Sequence, residues 1–215
     1  TKIALYFSVG LVVIGAVAFW FLEQDNTLDG MSPFGQLTTS VFQSATRTSG
    51  FNTVDIGLLG VPMLFLLIIL MFIGASSSST GGGIKTSTLA IVLADVWRTI
   101  RSLDHVQLFQ RTIPEILRSR AYSVLLFFLA GNTIAIFLLT ITEATILDMP
   151  DRGILDLIFE EVSAFGPVGL STGITPMLSN AGKAIVILSM FIGRVGTLTV
   201  AFALGGKYIK RHIKY

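Results

Sequence analysis

The chain repeats itself at a fixed offset, and this constrains its architecture more than any other feature. Ser44 and Ala45 return as Ser163 and Ala164, Gly50 as Gly169, Thr53 as Thr172, and the run Met71, Phe72, Ile73, Gly74 as Met190, Phe191, Ile192, Gly193. These pairs lie 119 positions apart without a gap, and Leu59/Leu178 and Ile68/Ile187 join them. Positions 44–74 give ten identities in 31 aligned positions, against about two or three by chance in an apolar-rich chain. The matched pieces include a short polar, glycine-centred segment in hydrophobic surroundings, the form a repeated ion-coordinating loop would take.

Hydrophobic residues make up 52% and charged residues 13% of the chain, well below the roughly 25% charge of soluble domains. Residues 3–22 carry no charge and suffice to span a hydrocarbon core, which takes about 20 helical residues. Residues 122–141 form a second such run 119 positions later, and 58–73 and 184–204 are further candidates. Four such runs in one chain point to a polytopic helical membrane protein rather than to soluble core helices.

The net charge of +2 is not a nucleic-acid signal, because the basic residues sit at membrane edges. Arg98, Arg101, Arg111, Arg118 and Arg120 crowd the connector between the repeats, and Lys207, Lys210, Arg211 and Lys214 occupy the tail. Glu23, Asp25 and Asp29, then Glu143, Asp148 and Asp151, mark the opposite loops. The positive-inside rule places the connector and C-terminus in the cytoplasm. There is no Cys, which excludes disulfides and thiolate metal sites. The chain begins with Thr1 at a membrane span, so a piece of a longer polypeptide is expected.

Each repeat reads as span, outer loop, short amphipathic stretch, glycine segment and returning span. The short stretches cover about 34–45 and 153–164, and 148–151 reads as a helix start. This is the plan of a re-entrant pore loop. Non-helical backbone at membrane depth is tolerated only where it is buried or lines a water-filled path. An extended glycine-containing strand there can aim carbonyl oxygens at a dehydrated cation, and Gly50 and Gly169 would permit the positive φ this needs. The coordinating backbone is expected at Thr48, Ser49, Gly50 and Phe51, and at Pro167, Val168, Gly169 and Leu170. An ordinary turn accounts for either glycine alone, but not for matching segments behind two half-length helices.

A second feature is a broken return helix. Residues 62–101 as one helix would reach about 60 Å, twice the hydrocarbon thickness. The run is interrupted by Ser76, Ser77, Ser78, Ser79, Thr80, Gly81, Gly82 and Gly83, with helix expected to resume at Ile84. A phosphate-binding loop fails here, because Lys85 is not preceded directly by Gly. A mobile gate or ion-lining loop is the better account. The third feature is Arg194, deep in an apolar run and, by the repeat offset, equivalent to Ala75 at the head of the broken loop. An intramembrane Arg is costly and by default functional, so a gating or barrier role is expected. Arg47, inside the first glycine segment, either braces that segment from behind or faces the outer water.

The segments TRTSGFNT at 46–53, STGGGIKT at 79–86, GPVGLST at 166–172 and GRVGTL at 193–198 resemble the bacterial Trk/Ktr/HKT potassium-uptake superfamily, closest to the membrane subunit of the Ktr system. The resemblance covers essentially the whole chain. It implies an all-α membrane fold of tandem helix–pore-loop–helix repeats in one orientation, half of a four-repeat pseudo-fourfold ion pore. Residues 1–105 would form the third repeat, with the broken return helix, and 106–215 the fourth, with connector and tail. Gly50 and Gly169 would be selectivity-filter glycines, residues 76–83 the intramembrane gating loop and Arg194 the Arg beneath the filter. The implied function is potassium uptake across the bacterial plasma membrane, with K+, and Na+ as a further candidate, as transported ions. Implied partners are the N-terminal half of the pore, a second membrane subunit in a homodimer, a cytosolic nucleotide-binding regulatory ring docking on connector and tail, and the lipid bilayer.

The alternatives are a sodium-coupled symporter or a less selective K+/Na+ transporter of the same superfamily. Dissimilar side chains in the two glycine segments make the filter only pseudo-symmetric. Inverted-repeat transporters fit poorly, because the charge pattern orients both repeats alike. An enzyme is not expected: His105 and His212 lie in predicted cytoplasmic segments and no acidic pair lies inside a span.

Overall fold

A computed structural model describes residues 2–75, 82–102, 107–108, 111–150 and 152–195. The gate residues Ser76, Ser77, Ser78, Ser79, Thr80 and Gly81, and the tail from 196 onward, lie outside the described residues.

Helix α1 (Lys2–Glu23) leads through a turn to α2 (Pro33–Thr46), which is capped by the Ser32 hydroxyl and has Pro at its first turn. An irregular segment and a 3-10 turn (Ile56–Leu58) precede α3 (Val61–Phe72), and α4 (Thr86–Ile100) follows the break. The connector holds one antiparallel pairing of β1 (Gln107–Leu108) with β2 (Arg111–Thr112). The second unit comprises α5 (Glu115–Thr142), α6 (Ala144–Leu147), α7 (Ile154–Phe165), a 3-10 turn (Thr175–Met177) and α8 over 180–195.

The two units keep the sequence offset in three dimensions. Helices α2 and α7 end at equivalent positions, Thr46 and Phe165, the 3-10 turns occupy equivalent triplets, and the return helices begin at 61 and 180. In each unit a buried carboxylate ending the first helix caps the return helix. Glu23 Oε1 accepts from Gly60 N at 2.9 Å, and Glu143 Oε2 accepts from Ser179 N at 3.0 Å. Negative charge at a helix N-terminus is favourable for orphan N–H groups and for the macrodipole alike.

Helices α1 and α5 are long and apolar enough to cross a membrane. Both expose large apolar side chains, Val13 and Phe21 on α1, Ile134 and Phe137 on α5, as lipid-facing helices do. The main core cluster joins α1, α3 and α7 through Phe19, Met63, Leu67, Met71, Phe159 and Val162. At about 18 Å, α3 is too short to span a bilayer alone.

Three boundaries depart from expectation. Helix resumes at Thr86, not Ile84, because Ile84 forms a parallel bridge with Ile73: Gly74 N donates to Ile84 O at 3.0 Å and Ile84 N to Phe72 O at 3.3 Å. Residues 148–150 close α6 rather than open a helix; α7 starts at Ile154, where Asp156 accepts from Gly153 N at 3.0 Å. Helix α5 starts seven residues before the apolar run, since Arg118 is neutralised by Asp95 across the α4–α5 contact.

Candidate functional site

The two glycine segments meet. Gly50 has φ +74° and Gly169 φ +97°, the left-handed region that costs residues with a Cβ about 1–2 kcal/mol. A Cβ added to Gly50 would fall 2.5 Å from Val168 O, and one added to Gly169 would lie 3.7 Å from the Gly50 Cα. Both segments follow directly on the C-terminal ends of half-length helices, α2 and α7. Such an end carries roughly half a negative charge, which favours a cation there. Among the described residues no group of three or more His, Asp or Glu is placed to hold a metal ion.

The predicted segment residues differ in setting. Thr48 and Pro167 are half-buried, Val168 and Leu170 buried, and Ser49, Phe51 and Gly169 exposed. The second segment is held from within: Ser163 Oγ donates to Leu170 O at 2.6 Å and accepts from Gly169 N at 3.2 Å. Its outer end is tied by Glu160, which accepts from Thr172 N at 2.9 Å, the Ser171 hydroxyl at 2.6 Å and the Thr175 hydroxyl at 2.7 Å. The equivalent N–H in the first segment, Thr53 N, donates instead to Gln43 Oε1 at 3.1 Å.

Arg47 is buried, which removes the outer-water reading. Its Nη1 donates to Leu70 O at 2.6 Å and Ile73 O at 2.8 Å, satisfying carbonyls at the end of α3 where the helix breaks. Arg47 thus links the start of the first glycine segment to the head of the broken loop.

The described end of that loop reaches the second segment. A Cβ on Gly82 would collide with the Pro167 ring and come within 2.7 Å of Gly166 O, so the loop packs directly against the turn after α7. Helix α8 arrives at the same place, its Gly193 so close to the Phe165 carbonyl that any side chain would collide. Arg194 follows immediately and is exposed. The loop end and Arg194 therefore both lie at the C-terminal end of α7.

On the connector side Asp95 is buried against α5, with Oδ1 accepting from Arg98 Nε at 3.0 Å and Arg118 Nη1 at 2.9 Å, and Oδ2 from the Tyr122 hydroxyl at 2.8 Å. Two of the basic residues read as connector surface are thereby engaged in an internal cluster. Sequence reasoning missed Asp95, Glu160, Ser163 and the two carboxylate caps. Acidic residues inside apolar stretches were the available signal.

The sequence matches the family described as TrkH, cation transport protein, over residues 3–207. It is 42% identical over 207 residues to the Ktr system potassium uptake protein B of Vibrio alginolyticus, covering 95% of this chain and 44% of that one. It is 35% identical over 206 residues to the potassium/sodium uptake protein NtpJ of Enterococcus hirae, covering 95% and 45%. The fold resembles the crystal structure of the potassium transporter TrkH from Vibrio parahaemolyticus, with TM-score 0.70 and 18% identity over 93% of this chain and 43% of that one. The chain spans about half the length of the relatives it matches.

Proposed function

Given that the chain belongs to the TrkH cation transport family, a family of membrane transporters and not enzymes, we propose that it forms half of a potassium-uptake pore. In this reading residues 1–105 and 106–215 are two like-oriented helix–pore-loop–helix repeats of a four-repeat pseudo-fourfold ring, and the other two come from the remainder of the transporter. The observation that carries it is the pair of positive-φ glycines, Gly50 and Gly169, facing one another at the ends of two half-length helices. Carbonyls of Thr48, Ser49, Gly50 and Phe51, and of Pro167, Val168, Gly169 and Leu170, replace the hydration shell of K+.

Below them, residues 76–83 and Arg194 act as the gate. The guanidinium opposes a cation arriving at its depth, and its donors hold loop carbonyls or hydroxyls across the path. The setting is a bacterial plasma membrane, with connector and C-terminus cytoplasmic. Partners are a second membrane subunit and a cytosolic nucleotide-binding ring. The test is cation flux in proteoliposomes containing this chain with the rest of its pore. Potassium flux that persists without sodium supports the channel-like reading; an absolute need for a sodium gradient supports the symporter.

A second reading, a less selective K+/Na+ pathway, is favoured by the unequal segments. Ser163 braces one of them internally, whereas the equivalent Ser44 donates to Val12 O at 2.8 Å on α1.

A further inference from the structure

Helices α5, α7 and α8 converge at Phe165. Its ring meets Phe128 of α5 edge-on at 4.9 Å, and its carbonyl meets Gly193 of α8. One helical turn outward from each contact stands a polar residue: Asn132 on α5, Glu161 on α7 and Ser189 on α8. The directions agree, because the Glu143 contact with Ser179 joins the C-terminal end of α5 to the N-terminal end of α8. Three polar side chains, all buried, therefore share one level inside an apolar three-helix contact.

The hydrogen-bonding of this level is incomplete. Neither carboxylate oxygen of Glu161 has a hydrogen-bond partner, and neither has Asn132 Oδ1. Asn132 Nδ2 is committed to Phe128 O at 2.9 Å, which leaves Oδ1 as the amide's unmatched acceptor. Ser189 is the hydroxyl neighbour of Glu161. Among the described residues Glu161 forms no ion pair; the segment before α4, whose Ile84 packs on Phe128 and Phe165, carries Lys85. Helix α3 carries no ionisable group. On α5 the nearest are Tyr122, Arg120, Arg118 and Glu115, more than two turns inward. On α8 there are Lys183, outward and donating to Pro176 O at 3.1 Å, and Arg194, inward. Glu160 on α7 itself is engaged with Thr172 and its neighbours.

An ionised carboxylate in such surroundings would cost tens of kcal/mol in the idealised limit, with the Ser189 hydroxyl as its neighbouring donor, and Asn132 Oδ1 lacks a donor. One proton on the carboxyl resolves both defects. A dehydrated cation is the poorer occupant: the level offers at most four side-chain oxygens, fewer than a carbonyl ring supplies.

We propose that Glu161 is a proton-binding site behind the second glycine segment, its carboxyl proton donated to Asn132 Oδ1. Release transfers that proton to hydroxide, giving the carboxylate and water. An apolar cavity of about 400 Å³, lined by Gly131, Ala135, Phe165 and Ser189 among others, opens beside the level. Because Glu160 and Ser163 on the same helix hold the second segment, ionisation of Glu161 disturbs its carbonyls and lowers potassium flux. Only this last consequence rests on the proposed filter.

The test is infrared difference spectroscopy of the complete transporter in H2O and D2O, with 13C-glutamate labelling. A protonated-carboxyl band at neutral pH that shifts with the label and is absent from Glu161→Gln supports the site. Asn132→Leu should move the band to higher frequency, as loss of its hydrogen-bond acceptor requires. Flux should fall several-fold at alkaline pH in wild type as the band disappears, and stay flat in Glu161→Gln at the wild-type low-pH level. No such band at neutral pH, or a Glu161→Gln protein that folds but conducts at no pH, overturns the proposal. A band that titrates while flux does not follow overturns the coupling to the filter and leaves the proton site standing.

Discussion

Two serines at equivalent repeat positions make a controlled experiment, because the structure gives them different work. Ser163 joins α7 to its glycine segment at both Leu170 O and Gly169 N, whereas Ser44 reaches away to α1. Ser163→Ala removes two hydrogen bonds of about 1 kcal/mol each and leaves both backbone groups without their side-chain partner. A penalty of about 2 kcal/mol on the oriented carbonyl corresponds to a roughly 30-fold change in its population. Potassium affinity and preference over sodium should fall by about that order, measured by ion titration of the purified transporter and competitive flux in proteoliposomes. Ser44→Ala removes a bond to a carbonyl inside α1 that does not touch the glycine segment, so its cost of about 1 kcal/mol falls on stability and selectivity should stay near wild type. Equal losses in the two variants, or none in Ser163→Ala, would refute the bracing argument.

Arg47→Ala strips two carbonyls of a charged donor and should destabilise the protein by about 1–3 kcal/mol, visible as a drop in thermal unfolding temperature in detergent, with Arg47→Lys recovering part of it. Asp95→Asn should loosen α4 from α5. A double-mutant cycle with Arg118→Met should return about 1–2 kcal/mol of coupling, reduced from the buried-pair range because Arg118 is partly exposed. Arg194→Ala and a deletion within residues 76–83 should each raise potassium flux, and less than additively together, since in the proposed gate both act on one closed arrangement; flux at or below wild type in both would remove the gate.

The repeat made much of the backbone legible. The ends of α2 and α7, the paired 3-10 turns and the positive φ of Gly50 and Gly169 all follow from one offset. What could not be read was partner choice. Ser44 and Ser163 are identical residues at equivalent positions, yet their hydroxyls turn to different elements, because helix packing around each half-length helix differs. Phe165 has Gly131 and Gly193 against it, whereas its equivalent, Thr46, bonds back to Phe42 O at 2.8 Å. The carboxylate caps escaped notice because Glu23 and Glu143 are 120, not 119, apart, one residue out of register. The start of α5 was hidden by its charges, since the main partner of Arg118 is Asp95, 23 residues away.

The most direct test of the account is the Gly169→Ser transporter. A Cβ at this position would meet no atom closer than 3.7 Å, so the substitution acts through φ +97° and the carbonyl direction it sets, at a cost of about 1–2 kcal/mol. The ratio of potassium to sodium flux in proteoliposomes should collapse several-fold while expression and assembly stay near wild type. A well-assembled Gly169→Ser protein with an unchanged ratio would contradict the assignment of the paired glycines to the ion path.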